Sequence, residues 1–332
     1  MEWPGCILFG SDVHAQVRAL ELEHREIYES LDPDRIEAWL DFAPFDGAYS
    51  DDFGSSASGG RGESYVAAQR ATFNRVTGIT AILDIVGQRT AASPLVVDLL
   101  GGDGLISRVA AALGRTESEI VTCDASPFMV EAAWAAGIPA LLQYAQFPLF
   151  RAGSVGGVIL AYGTHHIPPQ ERATVVKEAH TILQPGGVFV LHDFLVGSAM
   201  ERWFGEVVDV HSVTGHRHSH FDRADIESYL QAAGFAEIDV MPLDDPFVVR
   251  APSAAAAELA MGRHLVEMYG LTRLVEEYGE TGAYRRAHEL GRAIFRDETA
   301  GRASGAEPYY AADLGAWTLT LGRSAVVGRG VA

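Results

Sequence analysis

An α/β fold built on a mostly parallel sheet is predicted for this chain of 332 residues, and three observations carry the prediction. An apolar β-rich run (Leu95, Val96, Val97) ends in Asp98 and passes into a turn holding Gly101, Gly102 and Gly104. An amphipathic helix follows, and a second strand over 120–123 is closed by Asp124. Further strands recur at helical intervals near 139–144, 157–162 and 188–192. Right-handed crossovers between them give a parallel sheet covered on both faces.

A strand, a glycine turn, a helix and a second strand ending in a carboxylate form half of a nucleotide-binding sheet. The turn narrows the choice of nucleotide. A pyrophosphate needs bare backbone N–H groups and the positive end of a helix dipole. Here Asp98 and Asp103 flank that spot, and the series Gly102, Gly104, Ser107 lacks its third glycine. A cationic or neutral ligand is favoured over NAD, and S-adenosylmethionine (SAM) has an ammonium, a sulfonium and no phosphate. Asp124 is placed to accept hydrogen bonds from two ribose hydroxyls.

The other elements follow in order. Residues 14–31 put Val17, Leu20, Ile27 and Leu31 on one helical stripe, which Asp32 and Pro33 end while capping a helix over 35–42. Residues 44–62 are rich in glycine, serine and aspartate and too long for an ordinary connection. They read either as a linker or as a lid, with Tyr49 and Arg61 as the lid residues. Residues 63–88 form a helix with Val66, Ala67, Phe73, Ile79 and Ile82 as core positions. After the fifth strand come four histidines within 194–220, a helix over 223–233 and a sixth strand over 237–241. The alternation of Trp317, Leu319 and Leu321 with threonines gives a seventh strand. The stretch between these last two reads as helices over 253–269, 271–278 and 283–295. The expected division is thus an N-terminal helical extension (1–88), a SAM-binding core (89–245), a helical cap (246–315) and the last core strand (316–332).

Composition bounds the function. The net charge is -19, from 25 basic and 44 acidic residues, with no Lys/Arg cluster, so nucleic acid is an unsuitable partner. Cys6 and Cys123 are too few and too far apart for a disulfide framework or a cysteine zinc site. No apolar run approaches the roughly 18 residues of a membrane span, and a cytoplasmic location is expected. A homodimer is the commonest default.

The order of motifs resembles the class I SAM-dependent methyltransferases. The chain offers DLLGGDG at 98–104, Asp124, AYGTHHIP at 161–168 and QPGGVFVLHDF at 184–194, over about 100 residues. The resemblance implies a seven-stranded, mostly parallel Rossmann-like sheet with an antiparallel last strand, carrying the N-terminal extension and the helical insertion. It also implies that Asp98, Gly101, Gly102 and Gly104 approach the amino-acid part of SAM and Asp124 its ribose. Ser126 and Phe128 would lie beside the adenine, and Tyr162 beside the methionyl group. Two departures stand out: Leu100 occupies the usual place of the first glycine, and Gln143 or Gln146 replaces the acidic residue after strand three.

Twelve histidines invite a metal reading, with His216, His218 and His220 alternating as on one strand face and Asp193 as a carboxylate partner. The reading preferred here is metal-free: hydrogen bonding to substrate or proton transfer, because this loop follows strand five at the ligand-binding edge. The candidate catalytic residues are His165, His192, Asp193, His216 and His220, with His192 and Asp193 expected to face the same crevice. Methyl transfer onto a small molecule, such as a secondary metabolite or a modified amino acid, is the expected activity. Two rivals stay open: a same-fold enzyme that releases methylthioadenosine, as azetidine-2-carboxylate synthases do, and a SAM-fold scaffold without catalysis.

Overall fold

The structure is a computed structural model and describes residues 11–41, 51–300 and 307–332. Short apolar runs form the parallel strands β1 (Leu95–Asp98), β2 (Glu119–Asp124), β3 (Ala140–Leu142), β4 (Val155–Leu160) and β5 (Leu183–Asp193). There follow β6 (Ala236–Asp244), β7 (Phe247–Ala251), β8 (Tyr309–Ala311), β9 (Ala316–Leu321) and β10 (Ser324–Val331). The main sheet has seven strands in the order β3-β2-β1-β4-β5-β10-β6, with β10 antiparallel to both neighbours. Alternation along the strands feeds two cores. Leu95 and Val97 pack on one face with Val175 and Ala179 of the helix Pro169–Ile182, while Val96 and Val190 pack on the other with Ile79 and Ile82.

One expected strand belongs elsewhere. The run Trp317 to Leu321 lies in β9, the middle of a separate three-stranded sheet β7-β9-β8. The last core strand is β10, whose sequence SAVVGRGV is weakened as a strand signal by two glycines. Packing requires them: a Cβ at Gly328 would stand 2.5 Å from Ile226, and one at Gly330 2.6 Å from the Phe235 ring.

The insertion between β7 and β8 contains the helices Ala254–Tyr269, Thr272–Ile294 and Arg296–Thr299. Non-helical backbone at Gly279 breaks the second, matching the two helices read there from the sequence. At the N-terminal end the single stripe over 14–31 is two helices, Val13–Glu23 and Arg25–Ser30, broken at His24. Leu20, Ile27 and Leu31 are buried nonetheless.

Residues 63–88 also differ from the expected single helix. They form Gly62–Gln69, a 3-10 turn Thr72–Arg75 and Val76–Val86. The break rotates Phe73 outward to 47 % exposure, so it is no core residue, and turns Arg75 into the interior. Among the described residues no helix is long and apolar enough to cross a membrane.

Candidate active site

The strands β1, β2, β4 and β5 end along one edge, where the crossover loops open a crevice. After β1 the turn runs through Gly102 (φ 56°) and Gly104 (φ 81°), left-handed conformations that other residues adopt at a cost of roughly 1–2 kcal/mol. Leu100 does not disrupt it. The Leu99 N–H donates to Ile159 O (2.8 Å) and the Gly101 N–H to Cys123 O (2.9 Å), fixing the turn to both neighbouring strands.

Asp124 locks the turn from the other side. Its Oδ2 accepts from the Gly102 N–H and its Oδ1 from the Ser126 N–H, each at 2.9 Å. Burial pushes its pKa up to about 6 despite these bonds, with Asp51 adding to the rise. Ser126 caps the helix Pro127–Ala135, and its hydroxyl donates to Asp51 (3.0 Å). Phe128 packs against Gly62, where a Cβ would stand 2.5 Å from the ring.

Asp98 is buried, and neither carboxylate oxygen has a hydrogen-bond partner among the described residues. Burial, then the neighbouring charge of Asp124, raises its pKa to about 8, while the nearby Arg75 opposes the shift. The Arg75 Nε is likewise buried and unpartnered. An orphaned carboxylate beside an orphaned guanidinium nitrogen complements an ammonium and a carboxylate, the two charges of a methionyl chain, so these residues fit SAM. Asp103, read from the sequence as a second acidic flank, is engaged by Arg108 at 2.9 Å. Gln143 is fully buried with its Oε1 accepting from the Leu149 N–H (2.8 Å), so it serves the loop after β3.

Beyond β4, Tyr162 has φ +63°, a strained conformation held by its surroundings. Its hydroxyl donates to Asp245 (3.1 Å), Asp245 pairs with Arg323, and the Arg75 guanidinium lies 4.4 Å from its ring centre. Burial, then Asp245, pushes the phenol well above its ordinary pKa. His192 joins this group, 4.3 Å from the Tyr162 ring and 3.6 Å from Asp245. Successive strand residues point to opposite faces, so His192 and Asp193 do not share the crevice as expected. The structure separates His192 from the other candidate histidines.

Asp193 instead faces His165. It accepts the His165 backbone N–H (2.6 Å), the Phe194 N–H (2.7 Å) and His165 Nδ1 (2.8 Å). These donors outweigh burial and hold its pKa below the usual carboxylate value. Residues 213–219 carry no strand, contrary to the alternation read from GHRHSH. Arg172 gathers the two segments, donating to Ile167 O (2.9 Å), His165 O (3.2 Å) and Ser219 O. The His165 ring consequently lies 4.6 Å from His166, 4.9 Å from His216 and 5.2 Å from His220, and His166 lies 4.2 Å from His218. Phe204 stacks on His216 at 3.7 Å. Burial, then His165, drives the pKa of His166 and His216 far below the ordinary imidazole value, lowers that of His218, and lowers that of His220 to about 4. Burial thus favours the neutral form of all four rings, which leaves nitrogen lone pairs to accept a hydrogen bond or hold a metal.

A small cavity connects the two groups, with Arg61, Tyr65, Tyr162, His166, His216 and Tyr269 in its wall. Arg61 donates to Met268 O (2.6 Å) and Ser64 to Glu267 O (2.6 Å), tying the N-terminal segment to the inserted helices above it. Arg61 thus closes the roof, while Tyr49 lies outside the described residues, as does Cys6. Sequence reading passed over Arg75, Asp245, Arg323 and Arg172. A signal existed for Arg75, a lone basic residue inside the apolar run of 73–86, but the others acquire meaning only from the contacts that surround them.

The chain is similar to solved structures of low identity. One is a phosphoethanolamine N-methyltransferase from Haemonchus contortus (16 % identity, 81 % of this chain and 56 % of that one, TM-score 0.49). Others are SAM-dependent methyltransferases from Thermotoga maritima (16 %, 81 % and 93 %, TM-score 0.45) and Archaeoglobus fulgidus (10 %, 81 % and 94 %, TM-score 0.44). No curated protein sequence matches it significantly. Residues 70–240, just over half of the chain, match the methyltransferase domain family. The chain therefore belongs to that family, as a class I methyltransferase with S-adenosylmethionine as its cofactor.

Proposed function

We propose that this methyltransferase acts in the cytoplasm on a small molecule, of the kind tailored in secondary metabolism or among modified amino acids. One observation carries the reading: the cavity beside the glycine turn is roofed by Arg61 and the inserted helices, which suits an enclosed acceptor rather than a polymer. The net charge of -19 likewise disfavours RNA and DNA. SAM, when bound, supplies an electrophilic methyl group. Asp98 and Arg75 would hold its charged methionyl end with the backbone of Gly101, Gly102 and Gly104, and Asp124 its ribose. Ser126 and Phe128 would lie beside the adenine and Tyr162 beside the methionyl chain.

The protein's remaining work is alignment and proton handling. Fixing an acceptor in line with the methyl group can be worth an effective molarity of about 10⁵–10⁸ M. His216, in the cavity wall, is kept neutral by burial and offers an unpartnered ring nitrogen to the hydrogen of an acceptor hydroxyl or phenol as a hydrogen-bond acceptor. His165 stands beside it, oriented by Asp193, with His220 behind. His192 positions Tyr162. The test is incubation with SAM and a panel of small hydroxyl, phenol and amine acceptors, read as S-adenosylhomocysteine plus a product heavier by one methylene. Release of methylthioadenosine from SAM without an acceptor would overturn methyl transfer, and turnover confined to RNA or protein would overturn the small acceptor.

A further inference from the structure

We propose that His165, His166 and His216 form a binding site for a divalent transition-metal ion such as Zn²⁺. From the sequence, GHRHSH with Asp193 is the metal candidate and a metal-free role is preferred for it, whereas the fold brings that motif onto a second histidine pair. One ring nitrogen from each of these three residues lies within 4.8 Å of the other two. Zinc holds imidazole nitrogens at about 2.0–2.1 Å, so small side-chain rotations would close the set around one ion.

Three observations favour an ion over a merely packed cluster. First, Asp193 accepts a hydrogen bond from the Nδ1–H of His165 (2.8 Å), which favours the tautomer that leaves Nε2 with its lone pair. A carboxylate behind a ligating imidazole is the usual arrangement for orienting such a ligand. Second, His216 is only 8 % exposed, and neither of its ring nitrogens has a hydrogen-bond partner among the described residues. The Nδ1 of His220 is also buried without one. Each unmet group costs roughly 1–3 kcal/mol, a loss that a ligand would offset. Third, acidic side chains are at hand to balance the charge. Asp193 forms a second overlapping donor set with His165 and His220, and Asp52 a third with His166 and His218.

The neighbourhood also suits a reactive rather than a closed structural site. Phe204 stacks on His216 and supplies an apolar wall, while His166 and His216 face the cavity. Three protein ligands with an open fourth position characterise catalytic zinc. That position would take an acceptor oxygen, nitrogen or sulfur and favour its loss of a proton. The inference concerns ion binding and is measured without SAM or acceptor, so it stands or falls apart from the proposed substrate.

The experiment uses the full, tag-free chain, stripped with a chelator and titrated with Co²⁺ alone, then with Zn²⁺ as competitor. Visible d–d absorption saturating at roughly one ion per chain, and abolished by Zn²⁺, is expected. Asp193→Asn should weaken binding about 10- to 100-fold and His216→Ala should remove the band, while His14→Ala, at an exposed position, should change nothing. His166→Gln gives the same readout should His216→Ala fail to fold by circular dichroism. Absence of a d–d band in the unaltered chain, or a band retained in a folded His216→Ala or His166→Gln variant, would overturn the site.

Discussion

Asp98 is a residue whose burial is costly to the empty protein and whose proposed role is to hold the ammonium of SAM. Its folded pKa of about 8 lies above the ordinary carboxylate value, so the folded state keeps a proton that the unfolded chain releases. Stability from this group is therefore lost as pH rises between about 4 and 8. Asp98→Asn should raise the melting temperature of the SAM-free protein, by more at pH 9 than at pH 5, for a gain on the order of a few kcal/mol. The same change should weaken SAM binding roughly tenfold or more, because a hydrogen bond to a charged group is lost. Differential scanning fluorimetry and calorimetric titration read the two effects, and a melting gain that does not grow with pH would contradict the burial argument. Asp124→Ala removes a carboxylate that pins two backbone N–H groups and that is proposed to hold the ribose. It should weaken SAM binding about 100-fold in the same titration. Both carboxylates are legible in the sequence because strand ends and glycine turns are local signals. Arg75 is not, since only the break after the helix Gly62–Gln69 turns it inward.

Elements with local patterns are legible in the sequence, and those dictated by a distant surface are not. The first five strands lie where alternation and turn residues put them. The strand β10 escaped because Gly328 and Gly330 answer to Ile226 and Phe235, far away in sequence. The run in β9 carries the stronger strand pattern and so took its place in the reading. The histidines converge for a similar reason: Arg172, on a helix, ties the segment carrying His165 and His166 to that carrying His218 and His220, and no spacing rule encodes this. The inserted helices have their own close approach. A Cβ at Gly262 would lie 1.8 Å from the Tyr284 carbonyl oxygen, so the helices Ala254–Tyr269 and Thr272–Ile294 must separate to admit it. Gly262→Ala should cost about 1–3 kcal/mol in urea unfolding, although alanine is the better helix former. An unchanged midpoint would mean the roof is loosely held.

At the scale of the whole molecule, one apolar core joins Val96 and Val190 of the main sheet to Trp203, Leu265 and Ala287 beneath and within the inserted helices. A roof sharing its core with the sheet should not unfold by itself. Tryptophan fluorescence, which includes the fully buried Trp203, and far-ultraviolet circular dichroism should report coincident thermal transitions. An earlier fluorescence transition would show that the roof melts first.

The chain leaves the main sheet at Asp245 and returns at Arg323, and these two residues are bonded to each other. The Asp245 N–H donates to Arg323 O (2.9 Å), Arg323 Nε donates to Asp245 O (2.8 Å), and the side chains pair. Everything between them is therefore a cassette whose two ends meet at one clasp. A cassette of this kind can be lengthened, shortened or exchanged without rethreading the seven strands, provided the clasp and the apolar underside are kept. Such a chain can change the residues above its crevice by replacing the cassette, while the glycine-turn edge of the main sheet stays as it is.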